Sequence, residues 1–591
     1  MFVKLINRAA RIAAAAALVV CSSSMASVVG SQVDNFRLLD HNGVSHELYY
    51  YRDAPAIALL VHDSQCQAAN QAQQDFAALA ETYRQRGVEF FLLNSETGVS
   101  RDAFDQSLPV LMDDAQIIGR ALNVTTAGEV LLVDPDTWSV VYQGGVAAAA
   151  TAGDLRDAID SVVANEEVAA PHTVAQGCNL DLGDVVTQVS YAEDVAPILL
   201  EKCVNCHHQG GIGSWAMSDY NMVRGFSLMI REVVRTKRMP PWHADPETGH
   251  WSNDRSLSTE EVQTLVNWIE AGAPKEGAAD PLAEADLSFP TWEISAVLGE
   301  PDYVIDIPAT EVPATGVVDY IDQYVENTIG KDVWVQAAEI LPGDRTVLHH
   351  TISIFGERSW FDKLVGDITP LGALRHYAPG ISNRPFPENT GVFLPKDAVF
   401  EFQMHYTTTG RATVDQSKMG IWVYEEPPEN TVRSFFMQNR RIEIPAHAAN
   451  HREEKRTKIP KDALLYSLLP HAHYRGKAAE FRAVYPDGSE EILLSVPQYD
   501  FNWQTAYEFA EPKFVPAGTE LVQTGWWDNS ARNLANPDPS IDVEWGDQSW
   551  EEMLFGEVTL RFVEAEEARA LKAKLNRSVI TAQRGTPPNE G

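Results

Sequence analysis

The short run Cys203-Val204-Asn205-Cys206-His207 constrains the fold of this chain more than any other feature. Two thiols at this spacing can add to the vinyl groups of a haem, and the histidine that follows them is then held beneath the iron. With 5 cysteines and 16 histidines in 591 residues, chance would produce such a run on the order of 0.001 times. A zinc half-site would need a second cysteine pair, which the sequence lacks. We therefore predict one covalently attached haem c.

The first 26 residues predict export. Lys4, Arg8 and Arg11 precede an apolar run from Ile12 to Val20, and Ser24-Met25-Ala26 supplies small residues at a cleavage point. No later stretch reaches the roughly 20 apolar residues that span a bilayer. The sequence thus predicts a periplasmic or secreted protein with a signal peptide cleaved near Ala26 and no stable membrane span.

Charge and length narrow the class of protein further. The 83 acidic and 46 basic side chains leave a net charge of -37. Such a charge repels phosphate backbones, so nucleic acid is excluded as a partner. A chain of 591 residues should form several domains, at roughly 100–200 residues each.

The hydrophobic pattern changes along the chain and divides it into units. Apolar strands alternate with a helical stripe as far as about Val163, and Ser258 with Glu261 forms a capping box in a small helical unit. Beyond Phe289, short Val, Ile, Tyr and Phe runs are broken by Pro, Gly and Asn, which predicts two all-β sandwiches. The predicted units are a signal peptide (1–26), an α/β domain (30–165), an all-α domain (189–275), two jelly-roll-like sandwiches (289–440 and 441–567) and a C-terminal tail (568–591).

The α/β unit resembles a thioredoxin-like (redoxin) domain of the peroxiredoxin type, with Cys66 where the reactive cysteine would begin the first helix. It has no Cys-x-x-Cys, and its loop Thr125–Gly128 lacks the proline that such folds place beside the thiol. Cys66 and Cys178 are the only cysteines of the mature chain outside the haem motif, so they can form a disulfide in an oxidising compartment. The alternative is a peroxidatic Cys66 whose pKa is lowered by the helix N-terminus.

The helical unit resembles a class I cytochrome c with axial ligands His207 and a methionine. Of the four methionines at 217, 222, 229 and 239, we choose Met239, because Pro240 and Pro241 stiffen the loop that presents it. His243 is the rival ligand. Methionine and histidine ligation raises the reduction potential and suits electron transfer.

Histidines recur in the β-rich region in three short motifs. A His-x-His pair on a strand directs both imidazoles to one face, and imidazole combined with a thioether selects copper. An adjacent pair points to opposite faces, so it can share a metal only at a strand end or a bulge. The motifs are Leu348-His349-His350-Thr351, Gln403-Met404-His405-Tyr406 and Pro470-His471-Ala472-His473-Tyr474.

These motifs are followed by Glu551-Glu552-Met553, and the ordered series resembles the catalytic core of the copper type II (ascorbate-dependent) monooxygenases, which include the peptidylglycine α-hydroxylating and dopamine β-monooxygenases. The resemblance implies that a C–H bond of a small organic substrate is hydroxylated with dioxygen. It also implies two copper ions, an electron-relay copper in the first sandwich and an oxygen-binding copper in the second. Their implied ligands are His349, His350 and His405 for the first, and His471, His473 and Met553 for the second.

The sequence differs from this family in the residues that would bind the substrate and in the source of the electrons. The peptidylglycine enzymes hold the peptide carboxylate with an arginine and a tyrosine, and the corresponding positions here are Leu469 and Glu557. Amidation of a peptide is therefore not expected. Electrons would come from an external donor, such as a cytochrome, a quinol-linked chain or an ascorbate-like reductant, and pass through the haem. The alternatives are a non-catalytic electron-transfer or copper-binding protein, and a thiol peroxidase using Cys66.

Overall fold

The computed structural model describes residues 27–146, 154–183, 188–358, 369–381 and 383–573. The predicted signal peptide and the end of the predicted C-terminal tail lie outside these ranges. Within them, no helix has the length and apolar character needed to cross a membrane.

A five-stranded mixed sheet forms the first domain. Its central strand, Ile57–His62, is buried along its whole length, which explains its unbroken apolar run. Three neighbouring strands are parallel, and an antiparallel hairpin completes the sheet. The spatial order is Val110–Met112, Glu89–Asn94, Ile57–His62, Val130–Asp134 and Ser139–Gly144.

Helices cover this sheet, and the β-α-β unit followed by β-β-α makes the fold thioredoxin-like. The helix Asn70–Tyr83 buries the predicted stripe of Phe76, Leu79, Ala80 and Tyr83. The α/β prediction is thereby confirmed. The remaining elements are the strands Arg37–Leu39 and Ser45–Glu47, the α-helices Ile117–Ala121 and Leu155–Val163, and the 3-10 helices Leu48–Tyr51, Gln67–Ala69, Arg84–Arg86 and Arg101–Ala103.

The segment after this domain packs back onto it. Thr126 bridges Asn179, Gln143 bridges His172, and Cys178 is bonded to Cys66. The polar stretch after residue 165 therefore extends the thioredoxin-like unit.

The next unit consists of helices, and the structure describes no strand between residues 188 and 298. The predicted capping box is present, because the Ser258 hydroxyl accepts from the Glu261 N–H and the Glu261 carboxylate accepts from the Ser258 N–H. The helices are Tyr191–Val195 (a π-helix), Ala196–Lys202, Tyr220–Gly225, Ser227–Arg235, Thr259–Glu270, Pro281–Glu284 and Ser295–Leu298. Over the described residues, strands contain more of the chain than helices do.

The first sandwich packs a four-stranded sheet on a five-stranded sheet. In spatial order, the first sheet contains Ile321–Glu326, Val399–Tyr406, Leu348–Glu357 and Thr369–Ala373. The second contains Asn430–Thr431, Thr390–Leu394, Val333–Leu341, Lys418–Val423 and Tyr303–Asp306. A short pair, Thr310–Val312 with Thr413–Asp415, lies beside them.

The second sandwich packs two four-stranded sheets. The first contains Arg433–Asn439, Leu554–Phe562, Ala463–His471 and Tyr507–Val515 in spatial order. The second contains His451–Lys458, Glu520–Trp527, Gly476–Val484 and Glu490–Val496, and a pair joins Glu443–Ile444 to Val543–Glu544. Because Arg433–Asn439 pairs with Leu554–Phe562, it belongs to this sandwich although it precedes residue 441.

Candidate metal centre

The predicted histidines of both sandwiches meet in one buried cluster. His350 pairs with His405 on the neighbouring strand, and the register shifts between Leu348 and His350. This irregularity at the strand start allows the adjacent His349 and His350 to turn toward the same point, as a shared metal requires.

Three ring nitrogens converge in the first sandwich. His350 Nδ1 lies 3.1 Å from His349 Nδ1 and 3.3 Å from His405 Nδ1. Two nitrogens bound at about 2.0 Å to one tetrahedral metal are about 3.3 Å apart. One ligand atom from each histidine lies within 4.8 Å of the others. The spacing therefore fits three nitrogen ligands of a single metal ion.

Burial keeps these imidazoles neutral. It lowers the pKa of His349 and of His471 to about 4 and that of His405 to about 2. The pKa values of His350 and His473 are also well below the ordinary value, first through burial and then through neighbouring histidines. Neutral imidazole is the form that binds a metal, so the cluster is already in that form at neutral pH.

The second group is oriented by neighbouring acceptors. His471 Nδ1 donates to Gln504 Oε1 at 2.7 Å, and His473 Nδ1 donates to the Glu551 carbonyl at 3.2 Å. Each bond directs the other ring nitrogen away from the acceptor, which is how protein groups orient metal-binding histidines. The buried Nε2 of His473 has no hydrogen-bond partner among the described residues. An unpaired buried nitrogen of this kind is costly unless a metal satisfies it.

The predicted methionine, Met553, immediately precedes a strand that pairs with the strand of His471. The pairing ends at His471 and Phe555, and the same register continued by two residues would set Met553 opposite His473. The Met553 side chain is buried. Two imidazoles with a thioether form a donor set that fits copper and stabilises Cu(I).

Gln504 connects the two groups, a role that no sequence motif indicates. Its Nε2 lies 3.2 Å from His350 Nδ1, while its Oε1 accepts from His471. The rings of His350 and His471 are 6.0 Å apart. The two ligand sets implied by the family resemblance thus form one continuous cluster at the boundary between the sandwiches.

A buried carboxylate fixes the loop that carries His473. Glu552 accepts from the backbone N–H groups of His473 and Arg475 and from the Trp527 indole. Burial raises the pKa of Glu552 to about 7, although these hydrogen bonds oppose the shift. In the sequence, Glu552 is distinguished only as a member of the Glu551-Glu552-Met553 motif, and nothing there indicates this structural role.

Leu469 and Glu557 face each other across paired strands and line one cavity of about 310 Å³. His376 Nε2 lies 2.9 Å from Glu557 Oε2. Burial would raise the pKa of Glu557, but the charge and hydrogen bond of His376 hold it below its ordinary value. Glu557 therefore places a carboxylate in this cavity.

The geometry of the Cys203–His207 motif also fits a covalently attached haem. Cys203 and Cys206 are free thiols, and burial raises the pKa of the Cys203 thiol to about 12. His207 Nδ1 donates to the Trp215 carbonyl at 3.0 Å, which leaves Nε2 available for iron. A Cβ on Gly213 would come within 2.6 Å of His207 Nδ1, so the loop needs glycine there.

The candidate methionines differ in their surroundings. Met217 is buried and donates its N–H to the His207 carbonyl, whereas Met222 and Met229 are exposed. Met239 is partly buried and precedes Trp242, which packs against Tyr507 of the second sandwich. His243, the rival ligand, is buried with an unpartnered Nε2 in the described part of the chain.

We predict that Met239→Ala lowers the haem reduction potential and removes the weak sulfur-to-iron absorption band of the ferric protein, because a soft axial ligand favours ferrous iron. Met217→Ala should leave both unchanged. Redox titration and absorption spectra provide the measurement. The reverse pattern would identify Met217 as the ligand, and no effect in either variant would favour His243.

The expected disulfide between Cys66 and Cys178 is present, and it links positions 112 residues apart. Cys66 is buried at the start of the first helix of the thioredoxin-like domain. Its sulfur is thus bonded and inaccessible, which disfavours a peroxidatic thiolate.

We predict that replacing both cysteines by alanine lowers the free energy of unfolding of this domain by about 2–5 kcal/mol, because the bond closes a long loop. Denaturant unfolding of the full-length protein provides the measurement. Mass mapping of the unreduced protein should recover the two cysteines in one linked peptide. Two free thiols, with Cys66 reacting rapidly with peroxide, would contradict the structural role.

Comparisons with known proteins reach only part of the chain. No family model and no curated protein match it. An uncharacterized conserved protein from Geobacillus kaustophilus has 22% identity and a TM-score of 0.24, covering 26% of this chain and 90% of its own. A thioredoxin domain of a thiol-disulfide oxidoreductase from Bacteroides vulgatus has 13% identity and a TM-score of 0.19, covering 20% and 89%. Peroxidoxin BcpB from Mycobacterium tuberculosis has 14% identity and a TM-score of 0.19, covering 24% and 96%.

The resemblances to cytochrome c and to copper monooxygenases therefore rest on motifs and site geometry.

Proposed function

We propose that this chain is an exported copper-dependent monooxygenase that hydroxylates a C–H bond of a small organic substrate and receives its electrons through a covalently bound haem c. The observation that carries the proposal is the convergence of His349, His350 and His405, whose Nδ1 atoms lie 3.1 and 3.3 Å apart in a buried cluster. The single lone pair on an accepting His350 Nδ1 cannot serve two imidazoles and the Gln504 amide at once, so hydrogen bonding alone does not account for the convergence.

The two histidine groups would have different roles. Three imidazoles make a nitrogen-rich site, which suits electron relay, whereas His471, His473 and Met553 combine two imidazoles with a weak thioether and leave a coordination position open. Bound copper would supply one-electron transfer and the activation of dioxygen. Each turnover consumes dioxygen, two electrons and two protons, and yields the alcohol and water.

The protein's own residues position the ligands and exclude water. Gln504 and the Glu551 carbonyl set which nitrogen of His471 and His473 faces the metal. Phe501 stacks on His349 with ring centroids 5.0 Å apart, and Tyr320 lies against His405 at 4.5 Å. These rings cover the cluster on the side of the first histidine group.

The substrate would approach from the cavity that Leu469 and Glu557 line. A smaller cavity bordered by His350, His471 and Gln504 shares His376 and Leu469 with it. Because Glu557 supplies a carboxylate where the peptidylglycine enzymes bind one, an anionic peptide end is an unsuitable substrate here.

Metal analysis and oxygen uptake test the proposal. The purified protein should contain two copper ions and one haem, and should consume oxygen with a reduced cytochrome donor and a hydroxylatable compound. His350→Ala should lose copper and oxygen uptake, while His250→Asn, at an exposed position, should retain both. Copper binding without oxygen consumption would instead favour the non-catalytic electron-transfer protein.

A second candidate function is thiol–disulfide chemistry, favoured by the thioredoxin-like fold and by the bond between Cys66 and Cys178. Reduction of that disulfide would release a thiol at the start of the first helix, where peroxiredoxin-like domains carry their reactive cysteine. This function predicts peroxide or disulfide reduction that survives removal of copper and is lost in Cys66→Ser.

A further inference from the structure

A second, larger cavity lies where the thioredoxin-like domain, the helical unit and the second sandwich meet. Its volume is about 740 Å³, within the range of roughly 300–1,000 Å³ that is typical of small-molecule sites. Tyr49, Tyr50 and Tyr51 of the thioredoxin-like domain form one wall, and Tyr474 and Phe501 of the second sandwich form another. The cavity is distinct from the one lined by Leu469 and Glu557.

Direct contacts between the domains fix the shape of this cavity. The Tyr50 hydroxyl donates to Asp528 Oδ2 at 2.7 Å. Arg532 forms ion pairs with Asp53 at 2.6 Å and with Glu89 at 3.0 Å. These bonds hold the tyrosine wall against the second sandwich, so the protein's own contacts fix the walls of the cavity.

Some of the charges that line the cavity are paired with one another, Arg37 with Glu47 and Arg238 with Glu232. Among the described residues, the lining cations Lys477 and Arg52 and the lining carboxylates of Asp500 and Asp528 form no ion pair. Arg52 donates to two backbone carbonyls, whereas the ammonium group of Lys477 is influenced by the charge of Asp528 without contacting it. That group donates to the Ala449 carbonyl at 3.1 Å and lies 6.0 Å from the Tyr50 ring centroid.

The aromatic walls and the cation together define a ligand class. We propose that this cavity binds a small planar aromatic molecule with one anionic group, the ring lying against Tyr50 and Phe501 and the anion pairing with Lys477. The chain as a whole carries a charge of -37, so only a local cation can attract an anion here. The thioredoxin-like domain thereby acquires a role that needs no reactive thiol.

Phe501 connects this site to the histidine cluster. Phe501 is among the residues that line the cavity, and its ring stacks on His349 with an interplanar angle of 20°. A ligand in the cavity would therefore lie one aromatic ring away from the first histidine group.

Calorimetry with three naphthalene probes tests the site in the full-length mature protein, both as isolated and after copper chelation. 2-Naphthoate is anionic, 2-naphthylmethanol is neutral and 2-naphthylmethylamine is cationic. We expect 2-naphthoate to bind about tenfold more tightly than the alcohol, since a charge-assisted pair contributes that much. Binding should survive chelation of copper. The result therefore tests this site independently of the proposed copper function.

Variants locate the site. Lys477→Met should remove the preference for 2-naphthoate, and Tyr50→Leu should weaken all three probes. Lys461→Met is the matched control, because Lys461 lies 5.8 Å from the Phe562 ring centroid outside the cavity. Failure of all three probes to bind, equal or tighter binding of the amine, or unchanged 2-naphthoate binding in Lys477→Met would overturn the proposal.

Discussion

Met553→Ile is expected to remove most hydroxylation while leaving copper bound. His471 and His473 remain in place to hold the metal, but the thioether that favours Cu(I) is lost. Loss of a supporting partner typically costs 10–100-fold in activity, so loss of a direct ligand should lower the hydroxylation rate by at least about 100-fold. Metal analysis and product formation under excess reductant measure the two properties separately.

Met437→Ile is the matched control for this experiment. Met437 is fully buried and pairs with Gly556 in the same sheet, but it belongs to no histidine motif. The control should show a similar effect on stability with little loss of activity. A Met553→Ile protein that hydroxylates at the wild-type rate would show that the sulfur is no ligand, and the oxygen-binding role of this group would have to be abandoned.

Local patterns account for the features that the sequence predicted well. The stripe Phe76, Leu79, Ala80 and Tyr83 identified a helix because helical periodicity is short-range, and it is the buried face of Asn70–Tyr83. The capping box at Ser258 is likewise a contact across three residues. The adjacent pair His349-His350 required an irregular strand, which the register shift supplies.

Long-range packing accounts for the features that the sequence could not predict. Gln504 belongs to no sequence motif. It joins His350 to His471 only because the two sandwiches pack together. Tyr320 reaches His405 from a segment 85 positions earlier in the chain. The strand Arg433–Asn439 joins the second sandwich through pairing with Leu554–Phe562, a partner more than a hundred residues away.

As the pH is lowered, the copper-free sandwiches are expected to unfold at a pH well above the range in which most carboxylates titrate. The five clustered histidines titrate at their ordinary pKa of about 6.5 when unfolded. In the native protein burial lowers the pKa of His349 and His471 to about 4 and that of His405 to about 2, and it holds the pKa of His350 and His473 well below the ordinary value. Because the native pKa is depressed, stability is fully present above pH 6.5 and is lost as the pH falls toward 4.

Between pH 7 and 5, the native pKa values of His349, His405 and His471 should each cost about 2 kcal/mol, or about 6 kcal/mol together. His350 and His473 act in the same direction. Glu552 acts in the opposite direction, since its native pKa of about 7 lets the folded protein gain a proton, which offsets about 2 kcal/mol. The remaining loss of about 4 kcal/mol or more approaches the whole stability of a typical domain, about 5–15 kcal/mol.

Urea unfolding of the chelated full-length protein at pH 7, 6 and 5, followed by tryptophan fluorescence, measures this loss. Copper-loaded protein should resist acid further, because the metal binds only the folded state. His471→Leu should reduce the pH-dependent loss by about 2 kcal/mol, whereas His250→Asn, at an exposed position, should leave it unchanged. An unfolding midpoint that stays constant from pH 7 to 5 in the chelated protein would mean that these imidazoles are not held neutral by burial, and the preformed metal-binding cluster would lose its physical basis.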